Sequence, residues 1–284
     1  MKNAGAIWLV VNSASGSNTD PELESLEECC AKAGFSIERV ICFPDEDLPT
    51  GADLDAASIP MVAVFTGDGT INALVTGLYG WEGSVLVLPG GTMNLLYHRL
   101  HGDRTIAEVL DAVINGQAKK LRPGVVRSQG GDALAGLLMG PATAWNEVRE
   151  AMRDANIKAM ADGVAEAVET SLSAPMVRCS DPPLGRPQGY PLLMFTPYDS
   201  GIEVAAYHAE TPRDYLGQGL ALLKQNFREG PHDNLGQYAA VTAGSMDGGP
   251  IDMLVDGEPR SGAADEELRL VECGVDLMAT EFND

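Results

Sequence analysis

Residues 61–72, MVAVFTGDGTIN, constrain this chain more than any other stretch. Met61, Val62, Ala63, Val64 and Phe65 form an apolar run that reads as a buried strand. The run stops at Thr66-Gly67-Asp68-Gly69-Thr70, after which Ile71, Leu74, Val75 and Leu78 recur at helical spacing. The two glycines and the acid therefore stand on a strand-to-helix turn. An open α/β sheet binds ligands at such turns, because the first helical N–H groups are unpaired and lie at the positive end of the helix dipole. Gly67 and Gly69 allow close backbone approach to a phosphate. Asp68 would repel a phosphate directly, so it fits such a site only with a cation or waters in between.

A lone Gly-Asp-Gly is more often a turn than a site, but here the design recurs. Residues 84–88, SVLVL, read as another strand and run into Pro89-Gly90-Gly91-Thr92-Met93-Asn94. Gly69-Thr70-Ile71-Asn72 and Gly91-Thr92-Met93-Asn94 share the form Gly-Thr-x-Asn. A third strand, residues 7–11, enters Asn12-Ser13-Ala14-Ser15-Gly16-Ser17. In a parallel sheet these three loops lie along one edge and can converge on one ligand.

These motifs, with Val255-Asp256-Gly257-Glu258 near the C-terminus, resemble the diacylglycerol kinase catalytic family. That family includes sphingosine, ceramide and bacterial lipid kinases and is distantly related to NAD kinase. The motifs come in the family's order and span nearly the whole chain. Leu95 stands where the family usually has an acid, and Asn12-Ser13 replaces its Asn-Pro opening. The resemblance implies a Rossmann-like doubly wound parallel sheet followed by a β-rich, sandwich-like second domain, with the active site between the two. It implies ATP and Mg2+ as cofactors, with Asp256 as general base for a lipid hydroxyl and Glu258 supporting it. Asp199 falls in a segment resembling the family's structural magnesium site, where Ser200 replaces a second acid. The expected nucleotide contacts are Asn12, Ser15, Gly16, Thr66, Gly67, Asp68, Gly69, Thr70, Asn72, Gly91, Thr92 and Asn94, with Asp68 also expected to hold the catalytic metal.

The chain has 284 residues, 45% of them hydrophobic, and a formal net charge of −22. That balance argues against nucleic acid, whose affinity comes from basic surface, and against strong attraction to anionic lipid. A locally basic face around Lys119, Lys120 and Arg122 is the exception considered. No apolar run is long enough to cross a bilayer, and the N-terminus lacks a signal-peptide pattern. The expected location is cytoplasmic, with peripheral contact at a membrane surface carrying the lipid substrate; a homodimer is left open. The five cysteines form no CxxC pair, so neither a disulfide framework nor a zinc site is expected.

Along the chain, residues 21–33 read as an amphipathic helix with Leu23, Leu26 and Cys30 inward. Residues 35–42 read as a strand and 45–58 as a solvated acidic loop. A helix from about Asn94 carries His98, Arg99 and His101. The two histidines lack a third ligand for zinc, and Arg99 is either a phosphate contact or, more commonly, a solvated arginine. Residues 105–115 read as a helix closed by Gly116. The alternation predicts a helix-covered parallel sheet over residues 1–122. Residues 123–284 read as a β-rich lipid-substrate domain, with room for the extreme C-terminus to pack back on the first. Within it helices are expected at 145–172 and 215–227, a Pro/Gly-rich loop at 175–191, and strands at 192–196, 202–207, 239–243, 251–255 and 268–271.

There is no GxxxxGK[ST] and no GxGxxG after the first strand, so neither a P-loop enzyme nor a dehydrogenase is indicated. Phosphoryl transfer needs positioned phosphates, a metal to neutralise charge and a group to accept the nucleophile's proton. Taken alone, Asp256-Gly257-Glu258 reads as an acidic turn; on an extended strand the two acids would share a face unless Gly257 bends it. An ATP-dependent lipid kinase is thus the leading expectation. The alternatives are NAD kinase-like activity and, motivated by Leu95 and Ser200, a nucleotide-binding regulator with impaired catalysis.

Overall fold

Two apolar runs, residues 61–66 and 84–89, lie side by side and are buried along almost their entire length, as expected of parallel strands covered on both faces. They belong to a computed structural model that describes residues 5–12, 20–91, 93–144, 175–207 and 232–281. The chain divides into unit 1, Met1–Pro123 with Glu272–Asp284, and unit 2, Gly124–Val271.

Unit 1 contains β1 (Ala6–Asn12), α1 (Asp20–Ala33), β2 (Ser36–Phe43), α2 (Gly51–Ala56), β3 (Met61–Thr66), α3 (Asp68–Gly77), β4 (Ser84–Pro89), α4 (Leu95–His101), α5 (Ile106–Ile114) and β5 (Lys119–Leu121). Its sheet also takes in β18 (Asp276–Ala279), giving the order β2-β1-β3-β4-β18-β5. β1 to β4 and β18 run parallel to one another, and β5 pairs antiparallel with β18 at the edge. The chain steps from β1 outward to β2, then returns to place β3 on the other side of β1. The strand order therefore reverses between β1 and β3, the position where such sheets bind ligands beyond their C-terminal ends.

Unit 2 is β-rich. It holds β6 (Gly124–Ser128), β7 (Gly131–Ala133), β8 (Leu137–Met139), β9 (Val177–Asp181), β10 (Pro183–Leu184), β11 (Leu192–Tyr198), β12 (Gly201–Tyr207), β13 (His232–Tyr238), β14 (Ala240–Ser245), β15 (Ile251–Val255), β16 (Glu258–Gly262) and β17 (Asp265–Glu272). They form two six-stranded sheets, β10-β9-β14-β17-β6-β7 and β13-β12-β11-β8-β15-β16. Val126, Cys179, Val241 and Leu268 from the first sheet share one buried core with Leu137, Phe195, Val204 and Met253 from the second. This is the packing of a β-sandwich.

Two expectations for loops are corrected. Residues 51–56 form α2, because Thr50 and Asp53 make a reciprocal capping box and Leu54 is fully buried. Within 175–191, β9 and β10 form a short hairpin, with Val177 and Cys179 inward and Arg178 outward; the prolines and glycines mark its edges rather than a loop. The helices expected at 145–172 and 215–227 lie outside the described residues. No helix among the described residues is long and apolar enough to cross a membrane.

Candidate functional site

In unit 1 the site begins where β3 ends. Thr66 is fully buried, and its hydroxyl donates to the Gly67 carbonyl at 3.1 Å. Gly67 is the N-cap of α3 and has no side chain to spend on the first amides. Asp68 follows in the first turn, where the helix dipole favours an acid, and its Oδ1 is buried. The loop after β4 lies directly against this turn. A Cβ on Gly90 would come within 2.5 Å of the Thr66 nitrogen, and one on Gly91 within 2.6 Å of Gly67 Cα. The two glycine loops thus touch backbone to backbone, which no larger residue at 90 or 91 permits without movement.

Two asparagines fasten this arrangement. Asn12, at the end of β1, donates through Nδ2 to Thr70 Oγ1 at 2.9 Å, bridging the point where the strand order reverses. Asn94 accepts from the Gly91 amide at 2.8 Å and donates to the Gly91 carbonyl at 2.9 Å. Asn94 adopts φ 50°, ψ 41° as N-cap of α4, a left-handed conformation that asparagine tolerates better than most residues. Its amide is spent on holding its own loop, a role that sequence reasoning missed. Asn72 is half-buried on α3; Ser15, Gly16 and Thr92 lie outside the described residues.

The residues of α4 separate. His98 is exposed, whereas His101 is fully buried with Nδ1 3.0 Å from Thr280 Oγ1. Burial pushes the His101 imidazole down to about 4; a backbone hydrogen bond with Val87 opposes this and Arg104 adds to it. Arg99 is not the solvated arginine that was the commoner expectation. It is half-buried, with Nε and Nη2 shielded from solvent. Arg122, expected on a basic face, pairs instead with Asp276 at 2.8 Å, while Lys119 and Lys120 are exposed.

In unit 2, Asp256 and Gly257 form the two-residue turn between β15 and β16, both with positive φ, 48° and 86°. Asp-Gly is a preferred pair for such a turn. Asp256 and Glu258 therefore do not share a strand face. Asp256 is 5% exposed and Glu258 stands outward at the start of β16. The Asp256 carboxylate accepts three backbone amides: Leu134 on Oδ2 at 2.8 Å, and Ala135 and Gly136 on Oδ1 at 2.9 and 3.0 Å. Backbone donors carry no residue-type signal, so nothing in the sequence could have revealed them.

Asp199 lies in the exposed two-residue turn between β11 and β12, where its Oδ1 accepts the Gly124 amide at 2.9 Å. Ser200 donates to Gln237 Oε1 at 3.3 Å. Among the described residues no three His, Cys, Asp or Glu side chains gather to hold a metal. Asp199 accordingly belongs to no such side-chain cluster among the described residues. Asp68 fits a different case: magnesium in phosphoryl transfer takes one or two carboxylates and completes its shell with waters and substrate phosphates.

A parallel sheet with paired glycine loops beyond two adjacent strands, followed by a β-sandwich, defines a two-unit α/β class of protein. Within that class, residues 6–126 match the family model described as the diacylglycerol kinase catalytic domain, which bears out the resemblance drawn from the motifs. The match includes the first three motifs and ends before the fourth. Among solved structures, a diacylglycerol kinase from Bacillus anthracis str. Sterne aligns with TM-score 0.58 at 14% identity, covering 97% of both chains. A second structure from that organism, described as a candidate diacylglycerol kinase, aligns with TM-score 0.61 at 17% identity over 97% of this chain and 95% of its own. At these identities the likeness is one of fold. None of the curated proteins matches.

Proposed function

We propose that the protein is an ATP-dependent lipid kinase, transferring the γ-phosphoryl group of ATP to a hydroxyl of a diacylglycerol-like or sphingoid lipid. The observation that carries this reading is the contact of the Gly67 and Gly91 loops beside the β1–β3 reversal, within the segment that matches the family. Unit 1 would bind the nucleotide and unit 2 the lipid, with the protein working in the cytoplasm and touching a membrane peripherally.

In this reading the amides of Gly69 and Thr70, in the first turn of α3, face the phosphates together with Gly67 and Gly91. Asn12 orients the Thr70 hydroxyl, and Ser15, Gly16, Asn72 and Thr92 add contacts by virtue of their motifs. Thr66 and Asn94 act one step back, by shaping the loops. Asp68 would hold magnesium through water, and the ion would neutralise phosphate charge. Asp256 accepts the hydroxyl proton as the new P–O bond forms, and exposed Glu258 adds negative charge nearby. No step is assigned to Asp199.

The test is incubation of purified protein with labelled ATP, magnesium and a panel of lipids in mixed micelles, with NAD in a parallel arm. Phosphorylation of a hydroxyl-bearing lipid is expected. Asp256→Asn should lower turnover by roughly 10²–10⁴, the usual range for a lost general base, and leave ATP affinity in place. Labelled NAD with no labelled lipid would overturn the reading in favour of a small-molecule kinase. ATP binding without transfer to any acceptor would point to a regulator.

A further inference from the structure

We propose that the backbone of Leu134, Ala135 and Gly136 is a positioning device for phosphoryl transfer, holding the Asp256 carboxylate in one orientation through three consecutive amides. The proposal rests on the lipid kinase reading above and adds residues that have no functional side chain.

Three features of unit 2 carry it. The first is geometric. Successive N–H groups of a strand point to opposite sides, so three in a row reach one carboxylate only if the chain leaves strand geometry. It does so here, between the end of β7 at Ala133 and the start of β8 at Leu137. The result is a concave run of amides of the kind that binds anions, and the anion is Asp256, at 2.8, 2.9 and 3.0 Å.

The second feature is that the main chain of Asp256 is tied to the same run. Its amide donates to the Gly136 carbonyl at 3.0 Å, and the preceding residue, Val255, pairs with Leu137 across β15 and β8. Backbone and side chain are thus fixed by one short segment more than a hundred positions earlier in the chain. Little freedom remains for the carboxylate to rotate.

The third feature is the choice of residue. Asn-Gly or Gly-Gly would make the same two-residue turn without burying a charge, and burying a carboxylate is costly unless it is fully hydrogen-bonded. The chain keeps the charge, buries it to 5% exposure and surrounds it with donors. A group that must meet a substrate proton in a fixed geometry gains from such restraint, since small misplacements cost large factors in rate.

The experiment removes one amide and nothing else. Ala135 is replaced by lactic acid through nonsense suppression, which turns its N–H into an ester oxygen and keeps the methyl group. The change is made in the wild type and in Asp256→Gly, a background that keeps the positive φ of the turn. Turnover with lipid, KM for ATP and melting temperature are measured on all four full-length proteins. In the wild-type background turnover is expected to fall by about tenfold or more, the scale of one hydrogen bond to a charged group, with KM for ATP unchanged. In the Asp256→Gly background the ester should cause no further fall, because the amide acts only through that carboxylate. An equal fall in both backgrounds would mean that the amide merely supports the fold, and would overturn the proposal. So would unchanged turnover with Asp256 present. Both of these leave the kinase reading standing; a wild type that phosphorylates no lipid overturns the reading and the proposal together.

Discussion

Asn94 holds the Gly91 loop of the proposed site through its own side chain. Replacing it with glycine keeps the left-handed backbone but removes both hydrogen bonds to Gly91. Each bond is worth about 0.5–1.5 kcal/mol. ATP affinity measured by calorimetry should fall in Asn94→Gly, because the Gly91 loop is then free to leave the Gly67 turn. Asn94→Ala should be less stable still, by about 1 kcal/mol in denaturant unfolding, since alanine pays for φ 50° and glycine does not. The form Gly-Thr-x-Asn marked Asn94 in the sequence as a site candidate, but not its direction, because a side-chain amide serves a ligand or a loop equally well. His101 makes the second prediction at this scale. Its pKa is near 4 in the folded chain and near 6.5 when unfolded. The stability it contributes is therefore complete above about pH 6.5 and is lost as pH falls toward 4. Between about pH 7 and pH 5 the loss is roughly 2 kcal/mol. Comparing urea midpoints of wild type and His101→Gln at these two values isolates it: the wild type should lose more on acidification.

At the scale of elements, legibility followed length and burial. β3, β4, β11 and β15 are apolar runs buried over nearly all their length, and a run of that kind has few other ways to hide. β13, HDNLGQY, has neither an apolar run nor a clean alternation, and it is a strand because β12 offers it a partner at the sheet edge. α2 is too short for helical periodicity to register, and its acids, its opening Gly51 and the nearby Pro49 imitate a loop. What makes it a helix is local: the Thr50–Asp53 capping box, Leu54 in the core, and Trp81 Nε1 donating to Asp55 at 3.0 Å. Thr50→Ala removes the cap and should cost about 1 kcal/mol. Chemical denaturation of the full chain measures it; an unchanged midpoint would mean that burial of Leu54 alone maintains α2.

Over the whole molecule the dominant fact is charge. A balance of −22 favours solubility and disfavours anionic surfaces, and the region considered as a basic exception is weakened because Arg122 is paired with Asp276. Any membrane association should therefore be weak and driven by apolar contact. Co-sedimentation with neutral and anionic vesicles should give similar, salt-insensitive binding, and a strong anionic preference abolished by salt would contradict this. The four motifs made the α/β and β-rich halves readable at this scale. The return of the extreme C-terminus to the first unit was expected; the pairing of β18 between β4 and β5 was not, because four residues, DLMA, specify no partner until those strands present open edges.

That last strand has a bearing on how the protein is made. Between β4 and β5, unit 1 leaves a gap that only residues 276–279 fill, with Leu277, Met278 and Ala279 all buried there. Unit 2 is spliced into unit 1 rather than appended to it. On a translating ribosome the first 123 residues emerge with an unfinished sheet, and they stay so while the 148 residues of unit 2 are synthesised. The nascent unit 1 must therefore wait, with two strand edges open, for the codons of residues 276–279 to close it.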